Sequence, residues 1–201
     1  MKKIQLLLLP MFAAMLTGCV VTSVYPFYQD KDLAFEPVLL GKWQDKDQPD
    51  ERWNFEQERT DTYQLTYSSG TNRYVMQARL FKLSGESFLD LFNAELSEQL
   101  QPPPIPAHSL LRVFQVKPSV KMAALNYDWL KELLAKEPKA VRHHAIPTGD
   151  KPEDHRIVLT AETAELQKFI RTHLKTEGAW KDVFELKQDL AVSHDVRPSA
   201  H

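Results

Sequence analysis

The sequence predicts an α+β domain in which two amphipathic helices pack on an antiparallel β-meander that is strongly curved or barrel-like. Between residues 39 and 126, runs of alternating apolar and polar residues are separated by short turn signals. Such runs are typical of half-buried strands, and short turns join neighbouring strands into an antiparallel meander. Two later segments have apolar residues at helical spacing. With 43% hydrophobic and 26% charged residues, the 201-residue chain has an ordinary globular composition.

The predicted strands are recognised by which side chains share a face. Trp53 and Phe55 share one face of their strand, and Tyr63, Leu65 and Tyr67 share one face of the next. We assign strands of the meander to residues 40–43, 52–56, 62–67, 73–83, 86–92, 108–116 and 120–125, and shorter strands to residues 141–146, 156–159 and 180–186.

One hairpin of the meander can be given a register. A two-residue loop at Ser84 and Gly85 is a typical hairpin turn, and a slip by one residue would turn every side chain to the other face. Phe81 and Phe88 would then lie together on the outer face, where we expect a helix or the N-terminal segment to cover them. The loop sets four facing pairs: Leu80 with Leu89, Ala78 with Leu91, Phe81 with Phe88, and Arg79 with Asp90.

Two segments are predicted to form helices. Asn126 is placed to cap a helix over residues 127–137, which ends before a proline. The second helix is predicted over residues 161–175 with Thr160 as its cap. Its acidic residues come early and its basic residues late, as the helix dipole favours.

The start of the first long strand contains Gly41 and Trp43. This Gly-x-Trp segment resembles the opening strand of lipocalin-like barrels, in which the Gly allows a tight entry and the Trp closes the barrel floor. The resemblance implies a barrel architecture and transfers no ligand residues. The helix predicted at residues 127–137 departs from the lipocalin pattern.

Aromatic residues of the meander are candidates for lining a ligand cavity. A closed barrel of about eight strands can hold one small ligand, and we therefore predict binding of a small apolar or amphipathic molecule. The same side chains would equally well fill a core. The candidate lining residues are Trp43, Trp53, Phe55, Tyr63 and Tyr67.

An alternative function is a structural or assembly role through a partner protein of the cell envelope. It would need an exposed apolar patch. Candidates are the pair Phe81 and Phe88 and the proline-rich loop at residues 101–106, which is more simply a rigid connector.

Signals for an enzyme or a metal site are weak. The chain lacks a Gly-x-Ser-x-Gly motif, and a hydrolase would need polar groups that converge in a cleft. Asp90 could be a buried acid near a pocket, but pairing with Arg79 is the simpler interpretation. The histidines at 108, 143, 144 and 155 are expected to be exposed, so we predict no metal site, no cofactor and no catalytic residue.

The charge and the cysteine content argue against nucleic-acid-binding proteins and against proteins stabilised by disulfides or cysteine-bound zinc. The chain has 25 Lys and Arg against 27 Asp and Glu, and this formal charge of −2 lacks the excess of basic residues that is typical of nucleic-acid binding. The single cysteine, Cys19, excludes an internal disulfide and a cysteine-rich zinc site.

The first residues have the organisation of a secretory signal. Lys2 and Lys3 give a positive start, and residues 4–16 form an apolar stretch. As a helix this stretch spans roughly 20 Å, too short for a bilayer core of about 30 Å. A signal peptide is therefore favoured over a membrane span.

The signal ends in Leu16-Thr17-Gly18-Cys19. These four residues resemble the lipobox of bacterial lipoproteins, which is Leu, a small or hydroxylated residue, Gly or Ala, and Cys. The resemblance implies that the Cys19 sulfur receives a diacylglyceryl group and that cleavage makes Cys19 the N-terminus, which is usually acylated as well. Two or more acyl chains anchor stably without a spanning helix. The alternative is an ordinary signal peptide with an incidental cysteine.

Val20 follows the cysteine, whereas an Asp there is the usual inner-membrane retention signal of bacterial lipoproteins. The resemblance thus implies a protein on the outer membrane that faces the periplasm. Removal of residues 1–18 takes away two lysines and no acid, so the formal charge becomes −4 and the lipid is the only evident anchor.

The segment after the cysteine is unusually aromatic for a linker. We expect Tyr25, Phe27 and Tyr28 to pack against the domain rather than to lie among lipid headgroups. The predicted organisation is a signal peptide at 1–18, a lipid-anchored tether at 19–38, a single α+β domain at 39–188 and a disordered tail at 189–201.

Overall fold

The computed structural model describes residues 20–92, 107–148 and 155–189. The helices are α1 (Tyr127–Lys136) and α2 (Thr163–His173). Within the described residues, no helix is long and apolar enough to cross a membrane. The strands are β1 (Thr22–Ser23), β2 (Leu33–Ala34), β3 (Gly41–Asp45), β4 (Glu51–Arg59), β5 (Thr62–Ser69), β6 (Asn72–Leu83), β7 (Glu86–Phe92), β8 (His108–Gln115), β9 (Val120–Leu125), β10 (His143–Pro147), β11 (His155–Leu159) and β12 (Trp180–Gln188).

Eight antiparallel strands close into a barrel. Strands β3 to β9 pair in chain order, and β12 closes the ring because it pairs with both β9 and β3. The predicted barrel-like meander with two helices is confirmed. The predicted α+β class fits only loosely, because the barrel accounts for most of the structure.

The hairpin of β6 and β7 has the predicted register. All four predicted pairs are present, including Phe81 opposite Phe88 and Arg79 opposite Asp90. Both loop residues have positive φ, 54° at Ser84 and 83° at Gly85. Two positive φ values are the requirement of the type I′ turn, whose twist matches that of the flanking strands.

The interior and the exterior of the barrel form two separate cores. Inward-facing residues such as Leu80, Leu89 and Leu111 pack inside the barrel. Outward-facing Phe81 and Phe88 are fully buried against the helices and the N-terminal segment. The expected cover of this phenylalanine pair is therefore present.

The helix starts agree with prediction in one case only. The side chain of Asn126 accepts hydrogen bonds from the backbone of Asp128 and Trp129, as predicted. The second helix begins at Thr163 with Glu162 as its cap, so the prediction of Thr160 was wrong. The backbone N–H groups of residues 160 and 161 donate to Arg142 O instead, which keeps the chain extended for two further residues.

The segment predicted to be a tether carries parts of the fold. Strand β1 lies between β8 and β11, and β2 pairs with β6. Val20 forms an isolated bridge with Asn126, and Phe27 is buried. The chain is thus held in place from Val20 onward. At the other end, residues 190–201 of the predicted disordered tail lie outside the described residues.

Candidate functional site

A cleft of about 170 Å³ lies on the outer face of the barrel. Its lining residues on β6 and β7 alternate with the inward-facing leucines of the same strands, which places them on the outer side. The cleft is lined by Tyr28, Gln77, Arg79, Asp90, Phe92 and His108.

Register brings these side chains together from three neighbouring strands. Arg79 on β6 lies opposite Asp90 on β7, and Phe92 on β7 lies opposite His108 on β8. Asp90 faces Leu110, so His108, two residues before Leu110, is its diagonal neighbour on the same face. Neighbours of this kind are within reach of long or aromatic side chains.

Asp90 is almost completely buried and both of its oxygens have partners. Oδ1 lies 2.7 Å from His108 Nδ1, and Oδ2 accepts a hydrogen bond of 2.9 Å from the backbone N–H of Phe27. The carboxylate thus ties β7 to β8 and to the N-terminal segment. A buried carboxylate is stable only with such partners.

Arg79 does not pair with Asp90, so the simpler interpretation of the sequence was wrong. Its Nε donates to the Thr62 hydroxyl at 3.3 Å, and another guanidinium N–H donates to the Tyr28 hydroxyl. The guanidinium carbon lies 5.2 Å from the centre of the Tyr28 ring. His108, which was expected to be exposed, is buried and takes the place beside Asp90 that was expected for the arginine.

The Asp90 contact determines which nitrogen of His108 a ligand would meet. If Nδ1 donates its proton to the carboxylate, neutral His108 presents an unprotonated Nε2. That nitrogen has no partner among the described residues, and the Phe92 ring stacks on the imidazole at 4.6 Å. Burial raises the pKa of Tyr28, although the charge of Arg79 lowers it, so the hydroxyl remains protonated at neutral pH.

The cleft is therefore suited to an anionic group. Arg79 has five N–H donors, and its contacts with Thr62 and Tyr28 use only two of them. Tyr28 can donate its hydroxyl proton. Both oxygens of the nearby Asp90 carboxylate already accept hydrogen bonds from the protein.

The five aromatic residues predicted to line a cavity all lie inside the barrel, away from this cleft. Trp43, Trp53, Phe55, Tyr63 and Tyr67 are buried in the interior core. Their rings contact one another, with Trp53 5.2 Å from Tyr67 and Phe55 6.1 Å from Tyr63. Trp43 Nε1 donates to Leu39 O at 2.8 Å, whereas the buried Trp53 Nε1 has no hydrogen-bond partner among the described residues.

The other sequence-based candidates do not form a surface site. Phe81 and Phe88 are buried rather than exposed, because Leu33 pairs beside one and Trp180 packs on the other at 5.7 Å. The proline-rich loop at 101–106 lies outside the described residues. Within the described ranges, no three His, Cys, Asp or Glu side chains are grouped to hold a metal ion.

A second buried polar cluster lies where β3 and β4 meet. Asp45 and Glu51 are both buried, and each has one carboxylate oxygen without a hydrogen-bond partner among the described residues. Burial raises the pKa of Glu51 to about 7; a hydrogen bond with Tyr67 lowers it, and the charge of Asp45 raises it further. Glu51 is thus poised to exchange a proton near neutral pH.

Comparisons with protein-family models, curated proteins and solved structures gave no match for this chain. Its function must therefore be inferred from its own residues.

Proposed function

We propose that the protein is an envelope lipoprotein, anchored to the outer membrane through Cys19, that binds a small amphipathic ligand by an anionic group. The group would enter the outer cleft, beside Arg79 and His108. The lipobox resemblance at residues 16–19 supports the anchor, and the closed barrel is compatible with a lipocalin-like architecture.

One observation carries the binding proposal: the Arg79 guanidinium and the Tyr28 hydroxyl line a cleft whose one lining acid, Asp90, is already hydrogen-bonded. Arg79, Tyr28 and His108 line the cleft, while both Asp90 oxygens accept bonds from the protein. Hydrogen bonds from charged donors to anionic oxygens are the strong ones. An anionic group would therefore gain hydrogen bonds from the guanidinium and from the Tyr28 hydroxyl.

The size of the cleft supports binding of one group rather than a whole molecule. Sites for drug-sized ligands have volumes of about 300–1,000 Å³, whereas this cleft has about 170 Å³. The barrel interior is occupied by packed aromatic rings. Both facts favour a ligand whose remaining part stays outside the cleft.

Binding is favoured over catalysis by the composition of the lining. The cleft meets one condition for a hydrolase, since polar groups converge in it. Its described lining contains no serine, threonine or cysteine, the hydroxyl and thiol nucleophiles on which many hydrolases depend.

Titration calorimetry with inorganic phosphate and with acetate tests the binding proposal. Arg79→Gln should weaken binding about tenfold or more, because a charged donor is lost. Arg59→Gln, at an exposed arginine of β4, is the matched control and should bind as wild type does. Failure of the wild type to bind either anion, or equal losses in both variants, would refute the proposal.

The anchor is tested by Cys19→Ala. We expect an unprocessed or soluble product, because the chain has no other thiol to carry the lipid. Thr17→Ser keeps a lipobox-like segment and should be processed normally. If Cys19→Ala still partitions with membranes as mature protein, the lipobox interpretation is wrong.

A partner protein is the second candidate, and one observation favours it. Strand β10 ends the sheet and, among the described strands, pairs only with β11. An open edge can accept a strand from another chain. Crosslinking from residues 143–147 in cells would identify such a partner.

A further inference from the structure

The residues that follow Cys19 form part of the outer cleft. Ser23 pairs with His108, the Phe27 N–H holds Asp90, and Tyr28 lines the cleft. Val20, the first described residue, is bridged to Asn126. Between the proposed lipid attachment and the cleft, the chain is therefore fixed to the domain.

This connection limits how far the cleft can lie from the membrane anchor. Ser23 is four Cα–Cα steps along the chain from Cys19, and each step spans at most about 3.8 Å. Ser23 lies opposite His108, about 5 Å away in an antiparallel ladder. The Cα of His108 is thus within about 20 Å of the Cα of Cys19. A domain of this length is roughly 40 Å across, so the cleft lies in the half nearest the anchor.

The same segment presents apolar side chains to solvent. Val24 is 40% exposed and Tyr25 is 43% exposed, between strand β1 and the cleft residue Tyr28. The expectation that Tyr25 packs against the domain was therefore wrong. Exposed aromatic residues are favoured at the level of lipid headgroups. Their position is the one expected of a surface that lies on a bilayer.

We infer that the anionic group bound in the cleft is the phosphodiester of a phospholipid from the membrane that holds the anchor. This inference rests on the proposed function. The cleft is large enough for a headgroup but not for acyl chains, which would remain in the bilayer. The Tyr28 and Phe92 rings supply apolar walls for the glycerol region. Anchoring also holds the cleft close to the membrane, which raises the effective concentration of lipid that it meets.

Native mass spectrometry of the full-length lipidated protein tests the inference. The protein is released from detergent in the presence of a short-chain phosphatidylethanolamine, with and without inorganic phosphate. We expect one lipid adduct on the wild type and on Arg59→Gln, displaced by phosphate. Arg79→Gln should lower adduct formation about tenfold. Tyr28→Phe, which removes only a hydroxyl, should lower it too and keeps the test valid if Arg79→Gln fails to fold.

The outcomes separate this inference from the proposed function. If phosphate binds but no lipid adduct forms, the cleft binds a free anion, and the membrane source is wrong. If an adduct persists in both cleft variants and resists phosphate, the lipid binds elsewhere and the inference falls. If neither phosphate nor lipid binds, the proposed function fails as well.

Discussion

His108 and Asp90 lie on neighbouring strands of the barrel with Nδ1 2.7 Å from Oδ1. The second carboxylate oxygen accepts the Phe27 N–H at 2.9 Å. One carboxylate with 1% exposure thus joins three distant parts of the chain. It orients the imidazole toward the cleft and fixes the N-terminal segment on the barrel.

Asp90→Asn should lower the free energy of unfolding by about 1–3 kcal/mol. The amide can accept a hydrogen bond through its oxygen only, so either Phe27 N–H or His108 loses its acceptor. Urea unfolding measures the change. Asp50→Asn, at an exposed acid, should change stability by less than about 0.5 kcal/mol; equal effects would show that the Asp90 contacts contribute nothing.

Phe81→Ala should lower the free energy of unfolding by about 3–5 kcal/mol, because it leaves a cavity in the outer core. Phe81 has no exposed surface and stacks on Phe88 at 5.4 Å. Phe114, which is 43% exposed and lies under Arg112, provides the control. Phe114→Ala should cost less than about 1 kcal/mol. If urea unfolding shows a similar loss of unfolding free energy in both variants, Phe81 is not buried in an outer core as described.

Glu51 should make stability depend on pH. Burial raises its pKa from 4.5 to about 7, a hydrogen bond with Tyr67 lowers it, and the charge of Asp45 raises it. The folded state therefore holds this proton more tightly than the unfolded chain. The resulting stabilisation is complete below about pH 4.5 and is lost as the pH rises through about 7.

Glu51→Gln, whose side chain is neutral at every pH, should remove the loss of stability that the wild type shows as the pH rises. Above pH 7 the variant should be more stable than the wild type, by roughly 3 kcal/mol at most. Urea unfolding across this pH range provides the measurement. Glu56→Gln, at an exposed acid of the same strand, should keep the wild-type profile. A Glu51→Gln profile that still falls as steeply as that of the wild type would show that another group is responsible.

Local features of the fold were predictable from sequence, but closure of the barrel was not. The β6–β7 register follows from alternation and a two-residue turn, which involve only neighbours along the chain. Closure instead depends on Leu186 pairing with Asp45 and Val120. No local pattern specifies partners so far apart, and the alternation in β12 fits an edge strand equally well. The start of α2 was missed because a tertiary bond to Arg142 O decides it.

The candidate site was only partly visible in the sequence. Alternation places Asp90 on the outer face with Arg79 opposite, and that much is correct. The choice of partner depends on Tyr28, which draws the guanidinium away, and on His108 from the next strand. If β7 and β8 had been paired from the sequence, His108 would have been found as a diagonal cross-strand neighbour of Asp90 and thus as a possible partner. The position of Tyr28 depends on how the N-terminal segment folds, and this segment has no helical or strand-like periodicity from which its path could be predicted.

The most direct test of an anion-binding cleft is histidine-selective NMR of the protein titrated with inorganic phosphate. We expect the ring nitrogen resonances of His108 to shift and saturate in the wild type and in Arg59→Gln, and to respond much less in Arg79→Gln. Exposed His144 serves as the internal reference and should show no saturable change. Unchanged His108 resonances, or a response no larger than that of His144, would contradict binding in this cleft.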